Sequence, residues 1–189
     1  MLRLMNYFWI FSFVMIFGGC FGKVSQVQYY ELEALGVSYE SNYQNNAGSK
    51  KDLRGSKERF FAWEISVSPK ISGKKIAYKN NANSISYFSK NAWIESFPIV
   101  LNSLAQKIAG NYGIWNDINS TERVKIHVLD CYFDAQNDLV FVRFLVESSK
   151  GNTFMVKTES VESGGFIKII EGFERVLNAA FTEIFMEFR

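Results

Sequence analysis

The sequence predicts an α+β domain, with an antiparallel sheet of about five or six strands and two amphipathic helices packed on one face. Three observations predict it. Apolar and polar residues alternate in short segments between residues 59 and 158, the period of half-buried strands. Two other segments, 96–109 and 166–187, repeat apolar residues every three or four positions, the period of a helix with one buried stripe. The links between the later strands are short and rich in turn formers, as hairpins require. Two such stripes and one such sheet bury one another when both helices lie on the same sheet face.

The first segment is not part of that domain. Arg3 precedes an apolar run from Tyr7 to Phe17, which ends in Gly18-Gly19-Cys20. A charged start, a short apolar stretch and small residues before a cleavage point are the parts of a secretory signal. The run is shorter than the ~20 residues a spanning helix needs. Small residues directly before Cys20 resemble a bacterial lipobox, with Phe17 where Leu is usual. Residues 1–19 are therefore expected to be a lipoprotein signal peptide and Cys20 the lipidation site. Several acyl chains on Cys20 would hold the chain on a membrane, because one chain alone binds marginally.

Residues 20–189 then form a single domain, long enough for a real core. Residues 24–35 read as a first strand, and 36–58, rich in Gly, Ser and Asn, as a flexible loop or insertion. Residues 59–67 return to strand character and end at Pro69 and the 72–74 turn. A hairpin follows, with strands at 75–79 and from Ser84 around an Asn80–Asn83 turn. The first helix, 96–109, carries Phe97, Val100, Leu101, Leu104 and Ile108 on one face. Ser96 is its expected N-cap, Pro98 lies in its first turn and Gly110 is its expected stop.

Residues 111–122 are expected to be a loop. Three strands come next, lined by Val124, Ile126 and Val128, by Val140, Val142, Phe144 and Val146, and by Phe154, Val156 and Thr158. The last helix, 166–187, bears a stripe from Phe166 to Phe185.

Little in the chain speaks for chemistry. The formal charge is +2, and removal of 1–19 takes away Arg3 and no acid, so a nucleic-acid partner has no electrostatic basis. With Cys20 acylated, Cys131 has no disulfide partner and reads as a small core residue. The lone histidine, His127, cannot build a multi-histidine metal site, and no His-dependent triad is expected. Asp130, Asp134 and Asp138 read as solvated turn residues, and no glycine-rich phosphate loop is present. No catalytic residue, metal or cofactor is expected, and the chain reads as a non-enzyme.

Two further features stand out. Aromatic residues make up 16% of the chain and crowd residues 60–97, where Trp63, Trp93 and Phe97 are candidates for contact with a lipid or a partner. Asp117-Ile118-Asn119-Ser120-Thr121 resembles an extended bacterial glycosylation sequon, which makes Asn119 a candidate modification site.

Taken together, the motifs resemble a family. Tyr29-Tyr30-Glu31-Leu32 soon after the lipobox cysteine is similar to the opening strand of the ABC-type transport auxiliary lipoproteins, which include the lipoprotein of the paraquat-inducible operon. Lys75-Ile76-Ala77-Tyr78-Lys79, Ile85-Ser86-Tyr87-Phe88 and Asn91-Ala92-Trp93-Ile94-Glu95-Ser96-Phe97-Pro98 resemble that family's strand, turn, Trp-ended strand and helix. The Gly/Asn/Ser-rich 36–58 segment departs from it.

The resemblance implies a lipid-anchored, non-catalytic accessory protein of the periplasmic face. It would serve an ABC transporter whose lipid-binding subunit is of the mammalian-cell-entry (MCE) type. The implied partners are the membrane, that subunit and further copies of the chain. Phe21 after the cysteine, in place of the Asp of inner-membrane retention, favours the outer membrane. The alternatives are a structural or regulatory envelope lipoprotein (an activator of peptidoglycan synthesis or an outer-membrane assembly factor) and an envelope hydrolase.

Overall fold

The structure is a computed structural model and describes residues 26–35 and 58–188. The expected signal peptide 1–19, Cys20 and nearly all of the 36–58 loop lie outside the described residues.

Among the described residues eight strands form one mixed sheet. In chain order they are β1 (Gln28–Tyr30), β2 (Arg59–Val67), β3 (Lys75–Asn81), β4 (Ser84–Trp93), β5 (Ile114–Asn116), β6 (Arg123–Asp134), β7 (Leu139–Ser148) and β8 (Gly151–Ser160). Among the described residues two helices pack with the sheet, α1 (Phe97–Asn111) and α2 (Phe166–Glu187). The α+β class and the two helices match the expectation, and the strands outnumber it.

The extra strands are the short ones. β5 lies within the expected 111–122 loop and pairs in parallel with the start of β2. Three residues carry too little pattern to announce a strand, and only the neighbour decides it. The expected 24–35 strand shrinks to β1, which runs parallel to the end of β4. Beyond it Leu32 is buried in the core that the helices share with the sheet.

β6 organises the sheet. One edge pairs with β7 along almost its whole length. The other edge is shared, with β2 parallel to its first half and β3 parallel to its last residues. The chain passes from β2 to β3 through a single 3-10 turn at Pro69–Ile71 that buries Ile71. Proline suits this turn because its φ is preset and it has no N–H to pair. The β3–β4 and β6–β7–β8 connections are the expected antiparallel hairpins.

The core lies between one sheet face and the helices. Val124, Ile126 and Val128 of β6 and Val140, Val142, Phe144 and Val146 of β7 are buried. They meet the α2 stripe, where Phe144 packs edge-on to Phe181 at 5.8 Å. Gly172 lets α2 approach closely, since a Cβ there would lie 3.0 Å from Val161 and 3.1 Å from Val140.

The helix ends differ in part from expectation. Ser96 is at the N-cap of α1, but its side chain makes no capping bond. Its carbonyl accepts from Ile99 and Val100 instead. Helix α1 runs through Gly110 to Asn111, and the chain turns off at Gly113, whose φ of 68° suits glycine. Gly164 and Gly165, at φ 154° and 78°, lead into α2.

Candidate binding surface

The two sheet faces are unlike. Both helices pack on one, and among the described residues no helix covers the other. The alternation of β2 and β6 sends Ala62, Glu64 and Ser66, and Arg123, Lys125 and His127, to the uncovered face. Their strand neighbours Phe61, Trp63, Val124 and Ile126 are buried.

The candidate contact residues Trp63, Trp93 and Phe97 are therefore corrected: all three are buried in the core. Trp63 meets Phe61 at 5.4 Å and Phe185 at 5.2 Å. Its indole N–H is buried without an acceptor among the described residues. Trp93 stacks on Phe97 at 5.3 Å and meets Phe173 edge-on. The large rings sit where two helices and a sheet converge, because aromatic side chains gain most from full burial.

The exposed apolar residues lie elsewhere. Phe154 is 69% and Val156 54% exposed, so the expectation that they line the core is overturned. Met155, between them, is the buried one. In register, Phe154 is opposite Leu145 and Thr158 is opposite Phe141, and Phe141 stacks on Tyr132 at 5.1 Å. These side chains make an apolar strip on the uncovered face of β6, β7 and β8. Among the described residues strand β8 has no neighbour beyond β7, so its ten residues end the described sheet with an unpaired edge. Such an edge presents free N–H and C=O groups to another chain.

Polar clusters flank the strip. Asp130 is corrected from a solvated turn residue: it is buried within β6, ion-paired with Lys70 from the 3-10 turn and Arg143 from β7. A buried carboxylate needs such partners. Asp134 does serve a turn: its carboxylate accepts from the Asn137 side chain and from the backbone N–H groups of Gln136 and Asn137. The Asn137 bond first, then those N–H groups and nearby Lys79, hold its carboxyl below the ordinary range against slight desolvation.

The structure also brings together a group that the sequence left apart. Ser66 and His127 are register partners on β2 and β6, and Ser66 Oγ lies 2.5 Å from His127 Nδ1. On the other side, His127 Nε2 is 3.6 Å from the Glu147 carboxylate. The Glu147 contact is longer than a hydrogen bond, so the serine, histidine and acid lie in a row without forming a hydrogen-bonded triad. Strand pairing supplied the contact, and no spacing in the sequence signals it.

Next to this line is a cleft of about 370 Å³, bounded by Ala62, Glu64, Arg123, Lys125 and the loop at Asn116 and Ile118. Asn116 fixes one wall: its side chain accepts from the Trp63 N–H at 3.1 Å and donates to the Trp63 carbonyl at 3.2 Å. Asn119 is exposed on the same loop, its N–H bonded to Asp117 Oδ1 at 2.9 Å, so its side chain is accessible to modification.

Cys131 is buried and unpaired. Burial, and then the neighbouring Asp130 charge, push its thiol far above the ordinary range. Among the described residues there is no cluster of potential metal ligands and no helix long and apolar enough to cross a membrane.

The comparisons with known proteins bear on the fold. No family model and no curated relative matches the chain. Solved structures do. One, a crystal structure of an uncharacterized protein, superposes with a TM-score of 0.65 at 10% identity, covering 87% of this chain and 99% of the other. A second, a Xanthomonas campestris protein assigned to the DUF330 family, superposes with a TM-score of 0.59 at 14% identity. It covers 69% of this chain and 82% of the other. At these identities the likeness is one of fold.

Proposed function

We propose that this chain is a lipid-anchored accessory protein of an ABC/MCE-type envelope lipid-transport system, which acts by binding and tethering rather than by turnover. The observation that carries this reading is the division of the sheet. One face is sealed by two helices, and the other offers an apolar strip and an open edge strand. A lipobox-like leader, the family resemblance of the mature chain and a fold shared with the DUF330 protein support it.

In this reading acylated Cys20 keeps the domain close to the bilayer, which raises its effective concentration beside membrane partners. The strip and the β8 edge supply the contact. The partner is an MCE-type subunit or another envelope protein, and a second copy of the chain can use the same edge. The outer membrane is the proposed site of the anchor.

Crosslinking in cells followed by identification of captured proteins tests the proposal. Capture of a transporter ATPase, permease or MCE-type subunit supports it, and replacing Cys20 with Ser should move the chain out of the membrane fraction. Capture of peptidoglycan-synthesis enzymes or outer-membrane assembly proteins alone would replace it with the regulatory or structural alternative. The Ser66–His127–Glu147 line sets the test of the hydrolase alternative. A panel of ester substrates should show no turnover that Ser66→Ala removes.

A further inference from the structure

We infer that the cleft between β2, β6 and the 116–122 loop is a binding site for a single-chain anionic amphiphile, an oxyanion joined to one alkyl chain. This deepens the transport reading and rests on it in one respect, that an envelope lipid system supplies such molecules.

The shape of the cleft is built in. Ala62 is a small residue between Phe60 and Glu64 on the outer row of β2, so the floor is low there. The loop that forms the rim is pinned to β2. The Asp117 N–H bonds the Phe61 carbonyl at 3.1 Å, and the Ala62 N–H bonds the Glu122 carbonyl at 2.9 Å. The Ser120 hydroxyl bonds the Phe60 carbonyl at 3.2 Å, and the Asn116 amide holds Trp63 from both sides. A rim fixed before the ligand arrives lowers the ordering cost of binding.

The chemistry of the lining selects the ligand. Arg123 and Lys125 are two apart on one strand, so they point to the same face roughly 7 Å from each other. Neither has an acidic partner among the described residues; the Arg123 guanidinium donates only to the Ile118 carbonyl, at 3.3 Å. Glu64 is opposite Lys125 in register but makes no ion pair with it. Glu147 is opposite Lys125 on the β7 side, so the two acids offset the two cations and the anion preference rests on Arg123, whose guanidinium fork suits a carboxylate or phosphate.

A bare anion leaves the apolar part of the site unused. Ile118 stands on the rim 77% exposed, held there by the pinned loop, and Ala62 lines the floor. A volume of about 370 Å³ is near the small end of ligand sites, about 300–1,000 Å³. It takes a head group and part of one chain, not a whole two-chain lipid.

The test uses the full acylated chain in phosphatidylcholine nanodiscs with two photoreactive probes, a diazirine fatty acid and a diazirine alkyl phosphate. Labelled peptides are mapped by mass spectrometry. Saturable labelling centred on 116–125 is expected from at least one probe, and the probe that labels identifies the head group. Arg123→Gln with Lys125→Gln should cut it about tenfold or more, since bonds to charged groups are among the stronger ones. Both residues are exposed, so the double variant should keep its circular dichroism spectrum. Ile118→Asp should also reduce labelling, and a zwitterionic alkyl phosphocholine should not compete.

Labelling spread over the surface, or unmoved by the double variant, would overturn the inference. Full competition by inorganic phosphate would overturn it as well, by showing an anion site that needs no chain. Partner capture in cells is read separately, so a failure of the cleft and a failure of the transport reading give different results.

Discussion

Asn116 and Asn178 use side chains where a strand would use backbone. Strand β5 stops after three residues, and the Asn116 amide makes the next two bonds to β2. Asn178, buried in the α2 stripe, donates to the carbonyls of Glu33 and Glu174 and accepts from the Leu35 N–H at 2.7 Å. It clamps the chain that follows β1 onto α2. Asn178→Ala leaves that N–H and the Glu33 carbonyl without a partner and should cost about 1–3 kcal/mol in urea denaturation. Cys131 gives a prediction of the opposite kind. Its thiol is buried and its ionisation opposed, and only a thiolate is reactive. Ellman's reagent should find Cys131 silent in the native protein and fully reactive in denaturant.

At the scale of elements, β8 shows what an alternating pattern leaves undecided. Residues 153–158 alternate whichever side faces inward, because both sides carry apolar atoms: Phe154 and Val156 on one, Met155 and the stem of Lys157 on the other. Pairing with β7 sets the answer by placing Met155 opposite Phe144. Charges on α2 agree with it, since Glu183 and Arg175 pair with Lys157 and Glu159 on the inward row. Phe154→Ser and Val156→Ser should therefore each change stability by no more than about 0.5 kcal/mol, the usual range for surface positions. Met155→Ser should cost about 2 kcal/mol or more. Thermal unfolding of the three variants checks this.

Helix α2 also carries a pH dependence. Burial, and then the like charges of Glu33 and Glu171, raise the Glu174 carboxyl above its ordinary range, although the Glu33 N–H donates to it. A carboxyl raised in the folded state adds stability below its unfolded pKa. That contribution is lost as the pH rises through the folded value. At neutral pH the ionised Glu174 thus opposes the fold. Glu174→Gln, which keeps an acceptor for the Glu33 N–H, should raise the unfolding midpoint at neutral pH. The gain should vanish when wild type and variant are compared below about pH 4, where carboxyls are protonated.

At the scale of the whole molecule, the sequence by itself determined the class, the two helices and most strands. Strand β2 and helix α2 have the expected ends, Arg59–Val67 and Phe166–Glu187. Both patterns are long, and a side-chain period is a local property that each segment carries alone. The buried faces of β6 and β7 were legible for the same reason.

The tertiary structure alone decided which strands pair, and so which residues meet. It placed β2 in parallel between β5 and β6, which put Ser66 beside His127 and shaped the cleft at Arg123 and Lys125. It sent Trp63, Trp93 and Phe97 inward and left Phe154 and Val156 outside. A period of two says that neighbours point to opposite faces. Which face is covered depends on where distant helices come to rest.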